Sequence, residues 1–384
     1  MEITMLTSEK QLKESIHLSE YAFQYKVPEN EMEKRLTKAK SHDIYGIYDE
    51  AQLAAKLHLI PFEVYFEDTI LKMGGIAGVA TYPEYRRSGY VKHLMTNVLK
   101  EMRDKGYSIS MLHPFHIGFY RKYGWEITSN RKISTLSKGD LSRLEHVPGK
   151  VKRYSKDSHN LDVEVVYNEF SKKFVGMLVR TKNWWQDAIY YDLTVAVYYN
   201  KSNQPKGYML YSVKKNKMTI DEFMPLDHEA RVGLWNFICQ HDSMVDEVEI
   251  TTDEREPLFY LLQDPRIKSE VKPYFMGRIV DVALFFDQLS PYYSKVRSPI
   301  TLKIIDEFAP WNNQSIQITS GGYSIGHDKE NALKLSINTL TTAFFGYMSP
   351  IQLAEIGLIK GEKDAVHQLD YLVGKKKPYL ADFF

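Results

Sequence analysis

The stretch Gly74-Gly75-Ile76-Ala77-Gly78-Val79-Ala80-Thr81-Tyr82-Pro83-Glu84-Tyr85-Arg86-Arg87-Ser88-Gly89-Tyr90-Val91 begins as a strand, turns, and opens a helix without a linker. The first backbone N–H groups of a helix have no intrahelical acceptor, and the helix dipole adds positive potential at that end. A strand that turns straight into a helix therefore aims several donors at one point, a ready site for an anion. Arg86 and Arg87 add two guanidinium groups, and Gly89 lets the main chain approach a ligand closely. The segment Arg86, Arg87, Ser88, Gly89, Tyr90, Val91 and Lys92 is expected to form a pyrophosphate cradle.

Downstream, Val91, Leu94, Met95, Val98 and Met102 fall on one face of a helix that stops at Lys105-Gly106. Upstream, polar and apolar residues over 8–37 predict two short helices. Runs at 42–48, 53–66 and 69–81, separated by short polar turns, predict an antiparallel meander. A strand at 107–112, a short helix from Pro114 and a strand from Trp125 complete a mixed unit by about residue 145. The same order returns with different letters: strands at 193–199, 206–213 and 218–224, a helix over 228–241, and a strand at 247–252. Its turn, Pro225-Leu226-Asp227-His228-Glu229, is acidic and lacks glycine, so no anion is expected there. From residue 289 the composition shifts to strands at 300–308, 315–319 and 323–326 and helical patches at 337–345 and 351–358. Three domains are predicted, at 1–145, 146–288 and 289–384. The chain ends on Phe383-Phe384, an apolar pair expected to dock rather than fray.

The 384 residues suffice for two or three domains, each with its own core, and 43% hydrophobic with 26% charged residues are ordinary globular values. Fifty basic against forty-nine acidic side chains give +1, which excludes a broad electrostatic footprint for nucleic acid or anionic lipid. One cysteine, Cys239, excludes an intrachain disulfide and a multi-cysteine zinc site; its apolar helical neighbours mark it as a core residue. His113-x-x-His116 lacks a third ligand, so no metal is expected. The first ten residues have no signal-peptide layout and no apolar run suits a membrane span, which predicts a cytoplasmic protein.

With these motifs in hand, the chain resembles the GNAT superfamily of N-acetyltransferases. Arg86-Arg87-Ser88-Gly89-Tyr90-Val91 stands where that family has Gln/Arg-x-x-Gly-x-Gly/Ala between its fourth strand and the next helix; Val91 replaces the small residue and should widen the turn slightly. Phe119-Tyr120-Arg121-Lys122-Tyr123-Gly124-Trp125-Glu126 resembles the family's F-Y-x-K-x-G-F-E segment. The tandem second unit, small third domain and aromatic terminus resemble the Eis-type (enhanced intracellular survival) subgroup. The resemblance implies an α+β protein: tandem GNAT-fold domains with mixed sheets, the second degenerate, followed by a sterol-carrier-protein-like α/β domain. It also implies acetyl-CoA as co-substrate, a primary amine as acceptor, direct attack in a ternary complex, and a homo-oligomer, a hexamer in the subgroup.

Attack of an amine on a thioester needs a route for a proton leaving an ammonium of pKa ~10, donors for the oxygen that gains charge, and an acid for the thiolate. Backbone N–H groups of Val79, Ala80 and Thr81 are the candidate donors, where the family's strands splay apart. Tyr120 is the candidate acid. An ordinary tyrosine near ~10 against a thiol near ~8.5 is uphill by roughly 2 kcal/mol, so a phenolate-stabilising environment or a water relay is required. The resemblance implies that the α-carboxylate of Phe384 folds back as base or as holder of the ammonium. Phe115 and His116 are candidate contacts of the pantetheine arm. Tyr21, Phe23, Glu29 and Glu31 are candidate walls of a pocket for an aminoglycoside, a polyamine or a lysine side chain. Trp184-Trp185 reads as a buried packing pair, and Lys375 to Lys377 as a solvated turn. The alternative is an acyl-CoA or lipid-binding protein whose GNAT unit is non-catalytic. A third reading, an aminoacyl or peptidyl transferase acting on tRNA, lacks the basic surface it needs.

Overall fold

The computed structural model describes residues 2–326 and 331–384. The first unit runs β1 (Ile3–Met5), α1 (Glu9–Phe23), α2 (Met32–Ala39), β2 (Asp43–Asp49), β3 (Gln52–Phe66), β4 (Thr69–Thr81), α3 (Tyr90–Asp104), β5 (Ile109–Leu112), α4 (Ile117–Arg121) and β6 (Glu126–Ser137). Local chemistry sets its ends: Ser8 and Gln11 form a capping box at the start of α1. Leu94, Met95, Val98, Leu99 and Met102 of α3 are fully buried and pack on Leu57, Leu59 and Ile76 of the sheet.

The second unit holds β7 (Lys150–Tyr154), β8 (Phe174–Val175), β9 (Thr194–Tyr199), β10 (Pro205–Lys214), β11 (Lys217–Pro225), β12 (Glu247–Thr252) and β13 (Lys268–Ile279). Helices Leu161–Ser171 and His228–Cys239 pack on it, and Cys239 is buried as expected. The third unit forms a separate four-stranded sheet from β14 (Ile300–Ile305), β15 (Ser315–Thr319), β16 (Gly322–Ile325) and β17 (Leu333–Ser336), in the order β16-β15-β14-β17. Its last strand, β18 (Lys377–Pro378), leaves the domain and pairs in parallel with β8.

Sequence patterning anticipates most of these elements but not how the first two units join. One sheet of twelve described strands runs through both, in the order β1-β2-β3-β4-β5-β13-β6-β12-β11-β10-β9-β7. β13 crosses back into the first unit and pairs antiparallel with β5 (Met276↔Leu112) and with β6 (Phe275↔Ser129). Each unit would otherwise present open edges, and exchanging a strand pairs them. The crossing escapes a pattern reading because the outer half of β13, Lys268 to Pro273, is polar, exposed and interrupted by proline. Among the described residues no helix is long and apolar enough to cross a membrane.

Candidate active site

β4 and β5 pair in parallel from Met73↔Ile109 to Ile76↔Leu112; β5 then ends and β4 continues to Thr81 paired with β3 on its other side. The same stretch of β4 carries a bulge, with the β3 register shifting between Lys56 and His58 and Gly78 at φ +55°. Tyr82 N–H donates to the Ala54 carbonyl at 3.1 Å. Strand alternation therefore turns the Ala80 N–H toward β3 as well and leaves that of Thr81 on the open edge. Thr81 Oγ1 is buried there without a partner among the described residues. Of Val79, Ala80 and Thr81, the edge thus offers Thr81 most directly.

The cradle segment lies at the outer end of this edge. Gly89, at φ +84°, starts α3 with no side-chain cap, and no acidic residue occupies the first turn, so the helix's leading N–H groups are free of competing acceptors. A Cβ at Gly89 would meet nothing within 4 Å. Conformation, not space, asks for glycine there. Arg87 also adopts a left-handed backbone, at φ +67°, and Arg86, Arg87 and Ser88 are exposed. Tyr90 and Val91 pack against the α3 core, while Lys92 is exposed with its Nζ 5.9 Å from the Phe308 ring centre of the third domain.

Tyr120 of α4 is buried, its ring 5.1 Å from Phe119 and 5.4 Å from Phe115. Among the described residues its hydroxyl has no hydrogen-bond partner. Burial raises the phenol well above its ordinary pKa. The phenolate-stabilising environment weighed above is therefore not what the fold provides; burial favours the protonated phenol. His116 caps α4, its Nδ1 accepting from Phe119 N–H at 3.1 Å, and Phe115 is 70% exposed. His113 stacks edgewise against Tyr274, Phe275 and Phe383.

The terminal residues are built into the interior. Tyr379, Leu380, Ala381 and Asp382 are buried. The Asp382 carboxylate accepts from Arg180 Nε at 2.9 Å, Trp184 Nε1 at 2.7 Å and Tyr167 hydroxyl at 3.2 Å. Its carbonyl accepts from Tyr274 at 2.8 Å, and Arg131 donates to the Ala381 carbonyl. Arg180 also pairs with Glu222. The Phe384 ring, held by these anchors, sits 4.7 Å from Phe62 and 4.8 Å from Phe275. A Cβ on Gly75 would come within 3.0 Å of it. Gly75 pairs with Met111, one residue before the β4–β5 ladder ends, so the terminus lies at the mouth of the splay. Lys376 is not the solvated turn residue expected; it donates to the Glu67 carbonyl and to Asp68, both at 2.6 Å, tying the tail to the β3–β4 turn.

A cavity of about 760 Å³ opens beside the tail, between α2 and residues 178–191 of the second unit. Phe62 belongs to its wall as well as to the Phe384 contact, and His42, Trp184, Lys34, Arg35 and Lys38 contribute further wall. Of the expected pocket residues only Glu31 lines it; Tyr21 stacks on Tyr82 at 5.3 Å, Phe23 is 52% exposed, and Glu29 is exposed in the turn before α2. Trp185 is buried and Trp184 packs against the same core cluster, but Trp184 is only half-buried: its other contacts line the cavity, where it stacks edgewise on Phe62 and donates to Asp382. In sequence, the three cations of α2 have the pattern of a Lys/Arg-rich helical turn on a solvated face, which carries no signal of a cavity wall. A second cavity, against the third domain and walled by Phe66, Phe286 and Phe344, has about 10 Å³ of free space, room for one water.

Residues 4–128 match an acetyltransferase (GNAT) domain family, residues 176–279 match a second acetyltransferase (GNAT) domain family, and residues 282–381 match a sterol carrier protein domain. The first two domains belong to the GNAT acetyltransferases. Two GNAT domains precede a sterol-carrier-like domain, as the resemblance implies. The N-acetyltransferase Eis of Mycobacterium tuberculosis is 24% identical over 213 residues, 52% of this chain and 52% of its own length. The match spans about half the length of these curated relatives. A probable N-acyltransferase from Enterococcus faecalis superposes over 100% of this chain and 99% of its own, with TM-score 0.92 and 27% identity. Eis1 from Mycobacterium abscessus shares the fold at TM-score 0.80 and 15% identity, with full coverage of both chains.

Proposed function

We propose that this GNAT protein transfers acetyl from acetyl-CoA to a primary amine by direct attack in a ternary complex. The observation that carries the reading is the β4–β5 splay with a different kind of site on each side. On one side stands the uncapped start of α3 with Arg86, Arg87, Ser88 and Lys92; on the other are the cavity and the docked terminus. Acetyl-CoA supplies the thioester whose acyl carbon the amine attacks, and the open cradle and the orphaned Thr81 Oγ1 fit its pyrophosphate and pantetheine. The Thr81 N–H on the free edge, with Val79 and Ala80 shaping the bulge beside it, donates to the oxygen that gains charge. With the phenolate disfavoured by burial, Tyr120 protonates the departing sulfur through a water relay, and Phe115 and His116 flank the path that the pantetheine arm takes. The carboxylate of Phe384, whose ring stacks on the cavity residue Phe62, holds the cationic amine toward the splay. Because Cys239 lies buried in the second domain, an acyl-cysteine step has no nucleophile near the splay.

The acceptor is a small-molecule amine or a lysine side chain, with aminoglycosides and polyamines as the classes to assay first. The resemblance adds a homo-oligomer, of hexamer type, and the sequence reading a cytoplasmic location. The decisive experiment is free-thiol release from acetyl-CoA against aminoglycosides, polyamines and a lysine peptide, with Arg87→Glu as control. Release that needs one amine and disappears in the control supports the reading; binding of acetyl-CoA without release for any amine overturns it.

A further inference from the structure

Lys56 lies in the middle of β3 and is entirely buried. Its Nζ donates to Ser19 Oγ of α1 at 2.6 Å and stands 2.7 Å from His58 Nε2. The other ring nitrogen of His58, Nδ1, is 3.1 Å from His42 Nδ1, and His42 lines the 760 Å³ cavity. An unbroken chain of nitrogens thus leads from the cavity wall into the core. The bulge in β4 makes room for it, since a Cβ at Gly78 would come 3.1 Å from His58 and 3.2 Å from Lys56 Nζ.

No described carboxylate ion-pairs with any member of the chain. From α1 come Ser15, 3.4 Å from His58 Nε2, and Ser19; Glu20 of that helix is taken up by Val27 N–H, His17 and Lys26. From α2 comes a further cation, Lys38. From β2 comes Asp43, which is bound to Lys105 at 2.6 Å. A buried amine without a counter-ion sheds its proton. Burial accordingly lowers Lys56 to about 7 and His42 to about 4, and holds His58 well below its ordinary value, with the neighbouring cations acting in the same direction on the two histidines. A Leu or Met at position 56 would fill the same core without stranding an amine, so the cluster calls for a chemical reason.

We propose that His42, His58 and Lys56 form the proton relay that deprotonates the acceptor amine, leaving the Phe384 carboxylate to orient the ammonium. The inference rests on the acetyl-transfer reading. The acceptor R–NH₃⁺ gives its proton to the free ring nitrogen of His42. The Nδ1 proton of His42 moves to His58 Nδ1, and the Nε2 proton of His58 moves to the lone pair on Lys56 Nζ. The amine keeps the N–H electron pair and attacks with it; Lys56 ends as an ammonium bonded to Ser19. After product leaves, the proton returns by the same path to water in the cavity. His42 is the member that meets the substrate, while His58 and Lys56 act through it. A base that titrates near neutrality suits this task better than an α-carboxylate of ordinary pKa ~3.5.

The test is the pH dependence of kcat/KM for wild type, His42→Gln, His58→Gln and Lys56→Met, using the most active amine of the panel. Wild type is expected to rise with an apparent pKa near 7. Each variant should lose roughly 10–100-fold near neutral pH and recover toward wild type near pH 10, where the amine arrives already deprotonated. Variant profiles that run parallel to wild type overturn the relay and leave acetyl transfer standing; no release by wild type removes acetyl transfer itself. Nitrogen NMR of wild type labelled at lysine Nζ needs no substrate and no variant. A Lys56 resonance titrating near 7 supports the relay, and one titrating near 10 overturns it.

Discussion

Replacing Lys56 by methionine should stabilise the protein, and by an amount that depends on pH. Folding carries the Lys56 ammonium into a site without a counter-ion, which lowers its pKa from 10.5 to about 7. At 1.36 kcal/mol per unit this charge penalty is roughly 5 kcal/mol near neutral pH. Methionine fills a similar volume and removes the penalty, but it leaves Ser19 Oγ and His58 Nε2 short of a partner, at about 1–3 kcal/mol. The net gain near pH 7 is therefore about 2–4 kcal/mol. The sign of the pH effect follows from proton counting. Between about 7 and 10.5 unfolded lysine holds a proton that folded Lys56 does not, so wild-type stability rises with pH across that window by up to ~1.4 kcal/mol per unit. The methionine variant lacks this term. Its advantage should be fully present below about pH 7, shrink steadily above it, and turn into a small deficit near pH 10.5, where only the lost hydrogen bonds remain. Scanning calorimetry of both proteins near pH 7, 8.5 and 10 reads this directly. A variant less stable than wild type at pH 7, or a difference that stays constant across the window, would refute the reasoning.

Tyr120→Phe removes a hydroxyl with no described partner, so stability should change by less than about 0.5 kcal/mol while kcat falls roughly 10–100-fold and acetyl-CoA affinity stays the same; an unchanged kcat takes Tyr120 out of the reaction. Asp382→Ala strips the buried Arg180 guanidinium of one of its two carboxylates and should cost about 3–5 kcal/mol. It should also free the tail, so that carboxypeptidase releases Phe384 and Phe383 faster and kcat drops as it does on deleting Phe384; a tail as resistant as wild type would show that other anchors suffice. Arg87 holds a left-handed backbone at φ +67°, so Arg87→Gly should raise stability by about 0.5–1 kcal/mol and yet weaken acetyl-CoA binding about tenfold. Equal affinity in a calorimetric titration would make Arg87 a bystander on an exposed turn.

The residues legible in the sequence are those whose job is done by neighbours in the chain. An anion cradle needs a strand end, a turn and a helix start in succession, so the proposed one, Arg86 to Lys92 with Gly89, is readable locally. The α3 face shows in its 3.6-residue period, the meanders in their turns, and the docked end in two terminal phenylalanines that would otherwise be exposed. Tertiary structure decides the rest, because those sites are assembled from distant residues. β13 finds its place between β5 and β6 only when two units pair their open edges. Trp184 and Asp382 meet although 198 positions separate them. In β3, Lys56 and His58 alternate with Ala55, Leu57 and Leu59, the pattern of a strand with one face in water. The covering of that face by α1, which removes the water and brings Ser19 to Lys56, is a packing event that no local spacing encodes. The sequence alone thus determines where the proposed anion cradle lies and in what order the domains come, while the electrostatics of the buried Lys56 cluster arise from packing, which depends on everything the chain folds against.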